Sequence, residues 1–108
     1  MRYLVHIESI DTGEQRPPRQ IAAFIEDVVQ PTIKTLIQWE KDGKAKCGIL
    51  SGRRGGVMII DAASNEELSF MLQELTVWGF SEVEITPLDD PEKRLKFELD
   101  SAQMLKKM

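Results

Sequence analysis

The sequence predicts an α+β fold, with two helices on one face of a four-stranded antiparallel sheet and a third helix at the C-terminus. Three observations lead there. Tyr3, Val5 and Ile7 recur at every second position, and polar and apolar residues alternate over 82–86, the period of a half-buried strand. Two further short apolar runs, Ile49-Leu50 and Val57-Met58-Ile59-Ile60, flank the turn-forming stretch Ser51-Gly52-Arg53-Arg54-Gly55-Gly56. Apolar residues return at helical spacing in two places, once before this pair of strands and once after it.

In chain order, Tyr3, Val5 and Ile7 point to one face of the first strand, and Leu4, His6 and Glu8 to the other. Residues 10–19 form a polar loop holding Gly13 and Pro17-Pro18, and a helix starts near Pro18 or Arg19, where proline is tolerated. Ile21, Phe24, Ile25, Val28 and Val29 make its apolar stripe. Pro31 predicts a break or kink at Gln30, after which the stripe resumes at Ile33, Leu36 and Ile37, with Trp39 near its end. Gly43 fits a left-handed helix cap. Strands over 44–50 and 57–60 follow, then a helix over 65–75, opened by a capping box of Ser64 and Glu67. Residues 76–81 form a loop carrying Trp78 and Phe80, and the last strand covers 82–88. Asp90-Pro91-Glu92 starts a helix on which Leu95, Leu99, Ala102 and Leu105 share a face; Leu95, Phe97 and Leu99 also fit strand spacing, and the start signal decides for helix. The order β-α-β-β-α-β is that of a ferredoxin-like sandwich with the first and third strands central and the fourth beside the first.

At 108 residues the chain reads as one domain, 1–108. Apolar content of 42% with average charge excludes a disordered chain. A net charge of −4, from 14 basic and 18 acidic side chains, argues against nucleic acid as partner. Cys47 is the single cysteine, which suits a reducing cytoplasm. The opening residues lack a signal peptide's apolar run, and no run approaches the ~20 residues of a membrane helix.

Gly43, the turn residues from Gly52 to Gly56, Met58-Ile59-Ile60-Asp61, Ser64-Asn65-Glu66-Glu67-Leu68, Leu72, Leu75 and Glu82-Val83-Glu84-Ile85-Thr86-Pro87-Leu88 together resemble the muconolactone isomerase-like family of dimeric α+β barrel proteins. With the opening strand, the resemblance covers most of the chain. It departs after the second helix, where Leu75-Thr76-Val77-Trp78-Gly79-Phe80 lacks the family's proline; at His6, where the family carries another polar residue; and in the extension from Asp89. The resemblance implies a homodimer with facing sheets, sometimes assembled further, and a pocket for a small organic molecule. It also implies proton transfer within a lactone without any cofactor.

His6 is the easiest general base in the chain. Glu8 lies on its face of the first strand, and Glu84 on the neighbouring strand can share that face; a carboxylate there would orient the imidazole. These three are the candidate catalytic residues for a 1,3-proton shift, against a structural role at an interface or strand edge. Arg53 and Arg54 can hold a carboxylate through paired donors, or form a charged hairpin tip. Trp78 and Phe80 can wall an apolar pocket, or fill a core or subunit contact. Tyr3 can donate a proton or pack. No residue set suggests a metal. Three functions compete: a cofactor-independent isomerase acting on a small organic acid or lactone, a non-catalytic binding or interaction module, and a cofactor-free monooxygenase-like barrel.

Overall fold

The computed structural model describes residues 1–10 and 16–108. The loop expected over 10–19 therefore lies partly outside the described residues, Gly13 included.

Strand β1 (Arg2–Ser9) pairs antiparallel with β3 (Gly55–Asp61) on one side and β4 (Ser81–Leu88) on the other, while β2 (Ala45–Ile49) pairs with the far side of β3. The sheet order is β2-β3-β1-β4, the arrangement expected from the element order. Alternation along β1 sorts its side chains as read: Tyr3, Val5 and Ile7 are buried under the helices, and Leu4, His6 and Glu8 are half-buried on the other, open face. Register carries this division across the sheet. Val5 pairs with Met58 and Ile85, and His6 pairs with Val57 and Glu84.

The first helical segment starts at the second proline, α1 spanning Pro18–Phe24. Of the break or kink expected at Gln30, the break is absent. The chain passes through a π-helical turn, Ile25–Val29, and continues as α2, Gln30–Lys41. The wide turn takes up one extra residue just ahead of Pro31, which has no N–H to donate and whose ring crowds the preceding turn. Gly43 ends this helix at φ +73°, and Gly52 turns the β2–β3 hairpin at φ +75°. Both are backbone conformations that a side chain disfavours.

Helix α3 (Asn65–Gln73) ends two residues before the expected boundary. Its capping box is half formed: the Glu67 N–H donates to Ser64 Oγ at 3.1 Å, but the Glu67 carboxylate accepts from Ala63 N–H, at 2.8 Å, rather than from Ser64. A short 3₁₀ turn, Trp78–Phe80, leads into β4. The core lies between the sheet and the helices, with Tyr3, Val5, Met58 and Ile60 facing Leu36, Trp39, Leu68, Met71, Leu72 and Leu75.

Asp90 caps α4 (Pro91–Lys106), accepting from the Glu92 N–H at 3.0 Å. No residue of this helix is buried. Its projection gives the molecule a long axis of 67 Å and a radius of gyration of 18.4 Å, against about 13 Å for a compact chain of this length. Among the described residues no helix is long and apolar enough to cross a membrane.

Candidate functional site

A cavity of about 370 Å³ opens between the helical layer and one end of the sheet. Its walls are mostly apolar. Phe24, Ile25, Val29 and Ile33 come from the helical run; Ile49 comes from the β2 edge, and Val77 and Phe80 from the turn before β4. Phe24 and Phe80 meet edge to face, with ring centroids 5.4 Å apart, a favourable aromatic geometry that ties one wall to the other.

Thr32, the buried polar residue of α2, anchors the wall behind. Its hydroxyl bonds the Val28 carbonyl at 2.9 Å and lies 2.9 Å from the Thr76 hydroxyl, and it accepts from the Val77 N–H at 3.2 Å. Thr76 also donates to the Val28 carbonyl. This carbonyl belongs to the π turn, so two threonines fasten the irregular part of the helix to the segment after α3.

The polar rim consists of Ser9, Ser81, Arg53 and Arg54. The Arg54 carbonyl accepts from the Ser9 N–H at 2.8 Å, which holds the hairpin tip against the end of β1. The Arg54 side chain is exposed and has no ion-pair partner among the described residues. Arg53 is already paired, to Glu8.

On the open face, Glu8 Oε1 also lies 3.4 Å from His6 Nε2. Glu84 pairs with His6 across the strands, a separation of roughly 5 Å between Cβ atoms. The imidazole and its two neighbouring carboxylates are thus on one face, as the alternation required. That face is the opposite side of the sheet from the cavity. His6, Glu8 and Glu84 line neither this cavity nor the smaller depression between α2 and β2.

Of the expected binding residues, Arg53, Arg54 and Phe80 line the cavity. Trp78 is not among its walls and is exposed. Tyr3 is fully buried in the core, and its hydroxyl donates to Asn65 Oδ1 at 2.6 Å, so its position is one of packing. Residues that the sequence reading passed over are Ser9, Thr32 and Ser81. The interrupting Thr32 on an otherwise apolar helical stripe was the available signal.

Cys47 lies on the helix side of the β2 edge. Burial, and then the Glu40 carboxylate, push its thiol up to about 11. Glu40 also accepts the Cys47 N–H at 2.7 Å. A thiol so raised is a poor nucleophile at neutral pH. Among the described residues no group of three or more His, Cys, Asp or Glu is placed to hold a metal ion.

No family model matches the sequence, and no curated protein sequence matches it. The structure does find a match. A crystal structure of muconolactone isomerase at 3.3 Å superposes with a TM-score of 0.68, covering 84% of this chain and 92% of the other. The fold is that of muconolactone isomerase. Sequence identity with muconolactone isomerase is 16%, so the likeness is one of backbone architecture. The uncovered part of this chain leaves room for a segment that muconolactone isomerase does not match.

Proposed function

We propose that this chain binds a small organic acid or lactone in the cavity between helices and sheet. The apolar body of the ligand would sit against Phe24, Ile25, Val29 and Phe80, and its acid group would meet Arg54 at the rim. One observation carries this reading: an apolar cavity, of a size suited to a small molecule, opens at an arginine with no ion-pair partner among the described residues. Arg53 is second in line because Glu8 holds it.

The test is calorimetric titration with aryl carboxylates and lactone acids, each beside its neutral amide. The acid is expected to bind more tightly than the amide. Arg54→Ala is expected to weaken the acid about fivefold or more and leave the amide unchanged, given that a charged hydrogen bond at an exposed rim is discounted by solvent. Equal binding of acid and amide to the native chain would remove Arg54 from the reading. Absence of binding across the panel would remove the cavity.

A second reading, proton-transfer isomerase, is favoured by His6 lying 3.4 Å from Glu8 and beside Glu84, in a fold shared with muconolactone isomerase. It requires the open face to be enclosed, as in a homodimer with facing sheets. No cofactor is invoked. Solvent deuterium entering a lactone substrate, lost in His6→Gln, would support it over simple binding.

A further inference from the structure

The C-terminal helix carries an exposed apolar face. Leu95, Phe97, Leu99, Met104 and Leu105 are each 59–67% exposed. At 100° per residue, Leu95, Leu99, Ala102 and Leu105 span an arc of roughly 120°, and Phe97 and Met104 form a second strip beyond Arg94 and Ser101. Glu92, Lys93, Lys96, Asp100, Gln103 and Lys107 fill the opposite side, and Glu98 and Lys106 interleave the main stripe. A helix resting on an apolar surface buries a stripe of about 100°, close to the width of the main one.

The body of the same chain offers an apolar groove of its own. Between α2 and the β2 edge, Ile33, Ile37 and Ile49 are 37%, 50% and 56% exposed and line a common depression with Leu36 and Cys47. Ile33 and Ile49 also wall the cavity, so groove and cavity mouth are continuous. The open sheet face is the poorer receiver. It is flat and carries Glu8, Glu82 and Glu84 among its few apolar residues.

Charge agrees. Residues 91–108 hold five basic and three acidic side chains, a net of +2; residues 1–90 hold nine basic and fifteen acidic, a net of −6. A basic arm is therefore attached to an acidic body, and every other copy offers it that same body. Five apolar side chains bury on the order of 60–120 Å² each. With the matching groove surface and two reciprocal arms, the total reaches on the order of 1,200–2,400 Å², the range of stable interfaces.

We infer that α4 is an exchange arm: it lies in the α2–β2 groove of a second copy of this chain, with its apolar arc over Ile33, Ile37 and Ile49, and so walls the mouth of that copy's cavity. The docking does not depend on what the cavity binds.

The test uses the full chain with Cys47→Ala, so that engineered thiols act alone. Chains bearing Ile37→Cys are mixed with chains bearing Leu99→Cys and treated with a short bis-maleimide. A covalent dimer is expected in the mixture well above the level from either variant alone. Replacing Leu99→Cys by Asp100→Cys, on the polar side of the same helix, is expected to lower the yield at least fivefold. Light scattering should also show Phe97→Asp with Leu99→Asp shifting the assembled chain toward smaller species, with unchanged circular dichroism. Equal crosslinking at positions 99 and 100, no dimer in the mixture, or crosslinking confined to the monomer when both cysteines are placed in one chain would each overturn the inference.

Discussion

The two faces of β1 do different work, although they belong to the same eight residues. On the helix side, Tyr3, Val5 and Ile7 are buried among apolar side chains, and the one polar atom there, the Tyr3 hydroxyl, is matched by Asn65. On the open side, Leu4, His6 and Glu8 remain half-exposed, and ionisable groups gather around Glu8. The helix side therefore holds the stability and the cavity, whereas the open side holds the titratable chemistry. An enzyme usually needs a pocket and an acid–base group to face each other. Here one sheet separates them, and only an added surface on the open side would give His6 a pocket of its own.

The sharpest way to break this division is to truncate adjacent residues of β3. Ile60 is fully buried on the helix side, and Ile59 is 40% exposed on the open side. Ile60→Ala is expected to cost about 2–5 kcal/mol in urea unfolding, and Ile59→Ala less than about 1 kcal/mol. Similar losses at both would mean that the open face is covered in solution by another chain.

Gly55 tests the contact between strands at the cavity rim. A Cβ added there would lie 2.5 Å from the Ile7 carbonyl oxygen and 3.2 Å from Glu8 Cα, both backbone atoms that can move only with the sheet. Gly55→Ala is expected to destabilise by about 1–3 kcal/mol and to disturb the Arg53–Glu8 pair at the same end. A neutral result by thermal unfolding would show that β1 and β3 have slack at this end.

The last test leaves the fold untouched and concerns Cys47, at the helix-side edge. Its thiol, raised to about 11 from 9.0, stays protonated through neutral pH, and the reactive thiolate appears only as pH climbs toward 11. Alkylation by iodoacetamide should be about 100-fold slower at pH 8 than for an unperturbed thiol with the same access, and its rate should keep rising beyond pH 9. A rate that levels off near pH 9 would show that the groove beside Cys47 is wetter than described.

Much of this organisation was legible in the chain. Alternation placed Val5 and His6 on opposite faces, and strand order brought His6 to Glu84, because both follow from period and topology. Asp90-Pro91 announced α4, and Gly43 its turn, because caps and left-handed glycines are local chemistry. The cavity was not legible. Its volume depends on how far the helical run stands from the sheet, which is a property of packing across layers. The residues His6, Glu8 and Glu84 attracted attention by their chemistry and indeed lie together, but no local pattern records which face of a sheet is hollow. Arg53, Arg54 and Phe80 reach the cavity because turn and loop residues at one end of a sheet converge on the same rim. The continuity of the helix through Pro31 was also hidden, since a proline reads as a break unless the preceding turn widens.

That wide turn has an editing consequence. The five residues Ile25–Val29 hold one more residue than the surrounding helix needs. Deleting one of them would let the helix close in ordinary register, and because the wide turn covers with five residues about the rotation that an α-helix covers with four, everything upstream would keep its facing. Phe24 would stay against Phe80. A one-residue deletion within the ordinary helix of α2 has no such slack and would swing Phe24 by about 100° relative to the residues beyond it, so length variation is gentle on the cavity at the wide turn and severe one turn away.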